Sequence, residues 1–254
     1  MPDSRLLPLL LALAPLVGWA QVNTEAMRNR EAWTGVRAEL GASLAAATGN
    51  TEFLEVGTAG RVDIHSHRNE AFVVGELQFA RADGERYVDR SFVHARVTTP
   101  LAPRFAAEAF VQAEQNAQQL LERRYLIGAG LRLTAIDRQR IGLAVGVTPM
   151  VEYERLGPEA AEPPSEVVRL SSYVTGRLAL SDATHATATV YVQPRADRLD
   201  DQRTLGQAAL RVQATPWVAV ELRAHVRHDS DPPADLKPTD LSVRNALIVT
   251  IPRK

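Results

Sequence analysis

Long stretches of this chain alternate between apolar and polar residues, and this alternation restricts the fold more than any other feature. In the segment 141–153 every second side chain is apolar, while the residues between them, apart from Met150, are small or polar. The segments 124–134 and 217–228 repeat the pattern with charged residues at the intervening positions. A period of two is typical of a β-strand that has one apolar face. The sequence therefore predicts an all-β protein.

The alternating segments are longer than the strands of most soluble proteins. Soluble strands usually contain about 5–6 residues, whereas a tilted strand that crosses hydrocarbon needs about 9–11. A sheet in hydrocarbon must also close on itself, because each unpaired backbone group there costs several kcal/mol. We therefore predict a closed antiparallel transmembrane β-barrel of about twelve strands (range 10–14). The predicted strands lie near residues 35–48, 52–65, 70–81, 87–98, 104–115, 122–135, 140–153, 167–181, 184–195, 204–215, 217–228 and 241–252.

One segment has an alternative interpretation. Residues 105–123 are rich in Ala, Gln, Glu and Leu, which favour helices. Alternate positions from Phe105 to Ala113 are nevertheless apolar, as in a strand. We predict a strand, a loop and the start of the next strand here, with a local helix as the alternative, since context overrides propensity in sheets.

The first twenty residues resemble a secretory signal peptide. Arg5 precedes the apolar run 6–17, and Gly18-Trp19-Ala20 places small residues at the two positions that a signal peptidase reads. The run is too short for a spanning helix. We therefore predict a signal peptide at 1–20, a periplasmic N-terminal segment at 21–34 and the barrel at 35–254.

The predicted connections between strands differ at the two ends of the barrel. One set is short throughout, as at 66–69 and 182–183, while the other includes the long, charged segments 154–166 and 229–240. Short periplasmic turns and longer external loops are typical of bacterial outer-membrane barrels. The outer membrane of a Gram-negative cell is therefore the predicted location.

Composition excludes several classes of function. The chain has no cysteine, which excludes a disulfide scaffold, a zinc ribbon and a thiol nucleophile. Its formal charge is −1, so no general basic field exists to attract nucleic acid. The motif Gly-x-Ser-x-Gly of esterases is absent as well. We predict no catalytic residues, no cofactor and no metal site.

The apolar strand faces are expected to contact lipid, so the polar faces meet inside the barrel. Both signs of charge occur there, and arginine suits such an interior because its guanidinium offers five fixed donors. The residues predicted to line the lumen are Arg37, Glu39, Glu55, Arg61, Asp63, Glu76, Arg96, Glu108, Glu114, Arg132, Arg169, Arg177, Arg211, Glu221, Arg223 and Arg244.

Three motifs occur in an order that resembles a known family. They are the small-residue strand with its Gly-Asn turn at 41–51, the arginine and Gly-x-Gly segment at 119–132, and the acidic, proline-bearing segment at 228–240. The chain resembles the salt-induced outer-membrane protein family, a bacterial β-barrel family of unknown function, across residues 33–251. The resemblance implies an outer-membrane barrel and supplies no catalytic residues.

These observations favour a non-enzymatic outer-membrane barrel, either a narrow charge-lined pore or a structural, stress-related barrel. Twelve strands lie between the filled eight-stranded barrel and the open sixteen-stranded porin. A pore with this mixed lining would have weak selectivity and strong salt dependence. A lipid-modifying barrel enzyme and a soluble periplasmic β-protein are the alternatives. The expected partners are outer-membrane lipid and lipopolysaccharide, the barrel assembly machinery and small solutes.

Overall fold

A computed structural model describes residues 34–47, 53–66, 68–82, 85–233 and 236–252. The predicted signal peptide at 1–20 and nearly all of the predicted segment at 21–34 lie outside the described residues. The barrel prediction at 35–254 falls almost wholly within them.

The described chain forms twelve β-strands. They are β1 (Gly35–Ala47), β2 (Phe53–His65), β3 (Glu70–Ala82), β4 (Glu85–Ala102), β5 (Phe105–Asn116), β6 (Leu121–Asp137), β7 (Ile141–Leu156), β8 (Ser165–Ala179), β9 (Thr184–Pro194), β10 (Gln202–Gln213), β11 (Val218–Asp229) and β12 (Thr239–Pro252). Each strand pairs with its sequence neighbours, and β1 also pairs with β12, so the sheet is a closed barrel. Every ladder is antiparallel. The prediction of a closed antiparallel barrel of about twelve strands is confirmed.

The segment with two interpretations is mainly strand. Strand β5 runs from Phe105 to Asn116, and a single turn of 3₁₀ helix follows at Ala117–Gln119. The Asn116 side chain accepts a hydrogen bond from the Gln118 N–H and so starts this turn. Ladder pairing with β4 and β6 on both sides outweighs the helix propensity of the alanines.

The two faces of the barrel wall differ in chemistry. Outward-facing side chains such as Leu131, Val147 and Val220 are exposed and apolar along every strand. Inward-facing side chains are largely charged or polar, and many are buried. This is the reverse of a soluble protein and matches a barrel whose outer face contacts hydrocarbon. Among the described residues, no helix is long and apolar enough to cross a membrane.

The connections differ between the two ends. At the turn end, the short connections 66–69, 103–104, 138–140, 180–183 and 214–217 follow the even-numbered strands. At the loop end, the longest connections are 157–164 and 230–238.

Candidate functional site

The lumen contains most of the polar chemistry of the barrel. Because side chains alternate across a strand, each strand presents one set of residues inward. Glu108 and Arg169 on this face are each only 3% exposed. Charges buried to this degree require opposite partners or hydrogen bonds. The lumen is therefore the candidate site.

The structure places all sixteen residues of the predicted lining at inward-facing positions. Some are buried: Arg61, Asp63, Glu76, Arg96, Glu108, Glu114, Arg132, Arg169 and Glu221. The others are half-buried: Arg37, Glu39, Glu55, Arg177, Arg211, Arg223 and Arg244.

A network at the loop end crosses the lumen. Arg203 on β10 donates to Glu152 at 2.8 Å and to Glu154 at 3.1 Å, both on β7. Strands β8 and β9 lie between β7 and β10 in the wall, so these bonds span the interior rather than neighbouring strands. Arg203 also donates to Asp229 at 2.9 Å. One guanidinium thus binds two carboxylates across the lumen and a third on the neighbouring strand β11.

Further arginines complete this loop-end network. Arg124 donates to Glu154 at 2.7 Å. Arg169 donates to Glu152 at 3.2 Å and to the Asp201 carboxylate at 3.0 Å. The loop-end network therefore comprises Arg124, Glu152, Glu154, Arg169, Asp201, Arg203 and Asp229.

A central network lies between β2, β3, β4, β5, β11 and β12. Arg223 on β11 is 3.7 Å from Glu76 on β3, across the lumen, and Arg90 is also 3.7 Å from Glu76. Arg244 on β12 contacts Glu55 on β2 at 2.7 Å, past β1. The contacts join the first strands of the barrel to the last two.

A third set of contacts surrounds Tyr173 on β8. Its hydroxyl donates to Glu108 on β5 at 2.5 Å and accepts from Arg132 at 2.9 Å. Arg96 lies 5.7 Å from the centre of the Tyr173 ring and 3.6 Å from Glu108. Strands β6 and β7 separate β5 from β8, so this set also crosses the lumen.

The turn end is bridged by a two-pronged ion pair. Both terminal nitrogens of Arg211 on β10 donate to Glu39 on β1, at 3.1 and 3.2 Å. Thr250 on β12 donates to the same carboxylate at 3.3 Å. A planar guanidinium that meets a carboxylate in this way holds a defined geometry.

Small residues leave limited space beside the central network. Gly41, Ser43, Gly57 and Ala59 line the inner face of β1 and β2, and a cavity of about 60 Å³ lies between them and the central network. A cavity of similar size lies at the loop end beside Arg227. Each is large enough for a few water molecules. The lumen in this state is therefore narrow and divided by side chains.

Several inward residues were missing from the predicted lining. Glu154, Arg203 and Asp229 each lie one residue outside the predicted strands 140–153, 204–215 and 217–228, whereas the observed strands extend to include them. Continuing the alternation past the predicted strand ends would have found them.

Aromatic residues of the lumen were missed for a different reason. The His94 ring stacks on Phe72, Phe92 and Phe110, with ring centres 5.3 to 6.3 Å apart. These rings occupy inward-facing positions, where the alternation of the sequence predicts polar residues because the apolar residues face lipid. The sequence does show that these rings face inward. Phe72 is an even number of residues from Glu76, and Phe92 from Arg90, so each ring lies on the same strand face as a charged residue.

The loop between β9 and β10 carries its own ion pairs at the mouth of the barrel. Hydrogen bonds from Arg195 hold the pKa of Asp197 below its usual value. Burial alone would raise the pKa of Asp201, but hydrogen bonds and charge from Arg198, Arg169 and Arg195 hold it below its usual value. Arg198 also pairs with Asp231, which fixes this loop to the one that precedes β12.

Solved structures share this architecture. The NanC porin structure superposes with a TM-score of 0.52 at 7% identity, covering 84% of this chain and 98% of that one. The KdgM porin in complex with disordered oligogalacturonate matches with a TM-score of 0.48 at 7% identity, covering 87% and 100%. The translocator domain of the autotransporter NalP from Neisseria meningitidis gives 0.46 at 11% identity, covering 88% and 90%. At these identities the likeness concerns the fold alone.

Comparison with families gives the assignment. A search of curated proteins returned no match. The family model described as "Protein of unknown function, DUF481" matches residues 38–251, which is nearly the whole barrel. The chain therefore belongs to the DUF481 family of proteins of unknown function.

Proposed function

We propose that this protein is a non-enzymatic outer-membrane barrel that passes small solutes through a narrow lumen closed at rest by ion pairs. The observation that carries the proposal is the Arg203 contact with Glu152 and Glu154, which crosses the lumen between strands that are not neighbours. The Arg211 contact with Glu39 supplies a second crossing at the turn end. NanC, which shares the fold, bears the name of a porin.

The outer-membrane location is supported by the chemistry of the wall. Exposed leucine, isoleucine and valine side chains cover its outer face on every side, while the charges lie inside. An aqueous location would leave this apolar surface exposed and prone to association. We propose lipid and lipopolysaccharide as the surroundings of the barrel, and the barrel assembly machinery as the partner that inserts it.

Salt is the proposed stimulus, in keeping with the resemblance to a salt-induced family. Ions in the lumen compete with the crossing pairs and screen them, and screening grows as ionic strength rises. The half-buried Arg211–Glu39 pair is more accessible to ions than the buried Arg203 contacts. Conductance should therefore increase with salt more steeply than the conductivity of the solution, with weak preference for either sign of ion.

Planar-bilayer recording tests the pore. Wild-type protein should give small current steps, and Arg203→Gln should give larger or more frequent steps because the crossing contact is lost. Arg155→Gln is the matched control, since Arg155 pairs with Glu122 and is exposed rather than lumenal. Silence of wild type and Arg203→Gln alike, in a preparation that is folded, would rule out the pore.

The same preparation tests the enzyme alternative. A phospholipid turnover assay in detergent should give no product above the rate of a barrel-free control. Turnover that scales with the amount of folded protein would replace the non-enzymatic proposal with a lipid-modifying barrel.

A further inference from the structure

The connections at the turn end of the barrel carry a positive net charge. They contain four arginines, Arg68, Arg104, Arg138 and Arg140, and one carboxylate, Asp182. All five residues are exposed. Four positive charges against one negative charge leave a net charge of +3 at this mouth, with histidine counted as neutral.

The connections at the loop end carry a negative net charge. The connection between β7 and β8 contains Glu159 and Glu162 and no basic residue. The connection between β9 and β10 contains three aspartates and two arginines, while Asp231 and Lys237 cancel between β11 and β12. Six carboxylates against three basic residues leave a net charge of −3 in the described part of these connections. The loop-end connections outside the described residues contain no lysine or arginine and three further carboxylates: Glu52, Asp83 and Asp235.

Charged residues at the strand ends do not offset this difference. Near the loop end, the described outward-facing strand residues comprise three arginines and three carboxylates: Arg81, Arg123, Arg155, Asp89, Glu122 and Glu166. At the turn end, Arg37 and Arg177 are matched in number by Glu70 and Asp137. The opposite net charges of the two mouths therefore remain.

The lumen lining is more positive toward the turn end. Arg96 and Arg132 share the carboxylate of Glu108, at 3.6 and 3.7 Å. The other ion pairs of this sector match one to one: Arg61 with Asp63, and Arg211 with Glu39. One positive charge is therefore in excess just inside the basic mouth.

The lining is more negative toward the loop end. Glu114 lies 3.4 Å from Arg90 and 3.7 Å from Arg124, and each of these arginines also contacts a carboxylate of its own, Glu76 or Glu154. The remaining charges balance. The central network, with Glu221 bound to Arg223, has three arginines and three carboxylates, as do the strand residues of the loop-end network. Arg227 is opposed by Asp240 in the β11–β12 ladder. The charge of the lining thus changes in the same direction as that of the mouths.

Net charge at a mouth attracts the opposite ion into it. The Debye length is about 10 Å at 0.1 M salt, so the field of each mouth then reaches into a narrow lumen, whereas about 3 Å at 1 M confines it to the rim. At low salt, cations should gather at the acidic loop end and anions at the basic turn end.

We propose that the barrel rectifies ionic current, with cations entering through the loop end and anions through the turn end. A positive voltage on the loop-end side drives both ions into the lumen, so carriers accumulate and the current is large. The opposite voltage withdraws both ions and depletes the lumen. This inference rests on the pore of the proposed function and adds a direction to it.

Planar-bilayer recording in potassium chloride tests the direction. Pro163→Cys places the only cysteine of the chain in the exposed connection between β7 and β8. A bulky neutral thiol reagent that does not cross the bilayer then changes the current only from the chamber that faces the loop end. At about 0.1 M salt, the current with the loop end positive should exceed the reverse current about twofold or more, and at about 1 M the two should become equal. Arg203→Gln is recorded alongside, because its open lumen should give larger steps at low salt.

Neutralising either mouth should reduce the asymmetry. Arg104→Gln with Arg138→Gln and Arg140→Gln brings the net charge of the turn-end connections to zero. The matched control replaces the same three arginines with lysine, which keeps the charge and should keep the asymmetry.

A second variant acts on the other mouth. Glu159→Gln with Glu162→Gln and Asp200→Asn neutralises the described loop-end connections, and all three residues are exposed. Each neutral variant should lower the current ratio, and the two combined should make the current–voltage curve nearly linear. Heat-modifiable migration shows that each variant is folded.

Three results would overturn the rectification and leave the pore intact. They are a linear curve of the wild type at low salt, an asymmetry of the opposite sign, and a current ratio that neither neutral variant lowers. Silence of the folded wild type and of Arg203→Gln would instead defeat the pore, and this inference with it.

Discussion

Asp201 shows how a single buried carboxylate holds the mouth of the barrel together. It accepts hydrogen bonds from Arg169 at 3.0 Å, Arg198 at 3.0 Å and Arg195 at 3.3 Å. Asp201→Asn removes the charge and leaves Arg169 buried with less compensation. We expect a loss of about 3 kcal/mol in the free energy of unfolding, measured by urea titration in lipid vesicles. The neighbouring Asp200→Asn is the control and should change stability little.

The same loop predicts sensitivity to acid. Asp197 and Asp201 have depressed pKa values in the folded protein, so their contribution to stability is present above the unfolded pKa of about 4. That contribution is lost as the pH falls through the lower folded values. Thermal unfolding followed by circular dichroism should show a drop in melting temperature below about pH 4. The double variant Asp197→Asn, Asp201→Asn should show a smaller drop in melting temperature. A drop as large as that of the wild type would show that these two carboxylates do not cause the acid sensitivity.

At the scale of strands, Gly146 on β7 allows Tyr173 on β8 to lie flat against the wall. A Cβ at position 146 would lie 2.2 Å from the Tyr173 ring, so Gly146→Ala must displace the tyrosine. The bonds from Tyr173 to Glu108 and Arg132 would then break. We expect a loss of about 1–3 kcal/mol in urea unfolding. Gly176→Ala is the control, because its nearest neighbour would be 3.9 Å away, and an equal effect of both variants would contradict this account.

The strands could be predicted from the sequence, but the contacts between side chains in the lumen could not. Alternation found all twelve strands, because one face of each strand must be apolar against lipid. Strand ends were less certain, since charged residues such as Glu154 and Arg203 resemble loop residues until they are seen to be inside. Cross-lumen partners could not be found at all. Arg211 and Glu39 are 172 residues apart, and their meeting depends on the cross-section of the closed barrel.

Glycines illustrate the same limit. From the sequence, Gly128 and Gly130 are expected to make room where arginine side chains cross the lumen. The structure instead places the Phe110 ring 2.7 Å from a Cβ at 128, and the Val147 carbonyl oxygen 2.1 Å from one at 130. The sequence indicates that space is needed beside these two glycines, but it does not indicate which group occupies that space.

At the scale of the whole molecule, the orientation of the barrel can be tested with its lysines. Lys237 and Lys254 are the only two in the chain, and Lys237 is exposed in the loop between β11 and β12. Lys254 follows the turn-end terminus of β12 by two residues. A membrane-impermeant amine reagent on intact cells should label Lys237, and should label Lys254 only after disruption. The opposite pattern, read by mass spectrometry of the peptides, would invert the proposed orientation.

Closure of the sheet predicts unusual stability in detergent. A barrel with paired neighbours at every strand should remain folded in cold dodecyl sulfate and migrate faster than the boiled chain. Cutting back β12 to remove residues 247–252 deletes every residue of β12 that pairs with β1 in the closing ladder. The shortened chain should then migrate at one position, heated or not. A heat-dependent shift that persists would show that β1 does not need β12.

The distance along the chain between lumenal partners has a consequence for biogenesis. Glu39 and Glu55 lie in the first hairpin, but the arginines that bind them, Arg211 and Arg244, lie on β10 and β12. Until those strands join the first hairpin, its carboxylates need water, so a partly assembled barrel should contain a hydrated crevice rather than a sealed wall. We therefore expect the interior to lose this water only when the sheet closes.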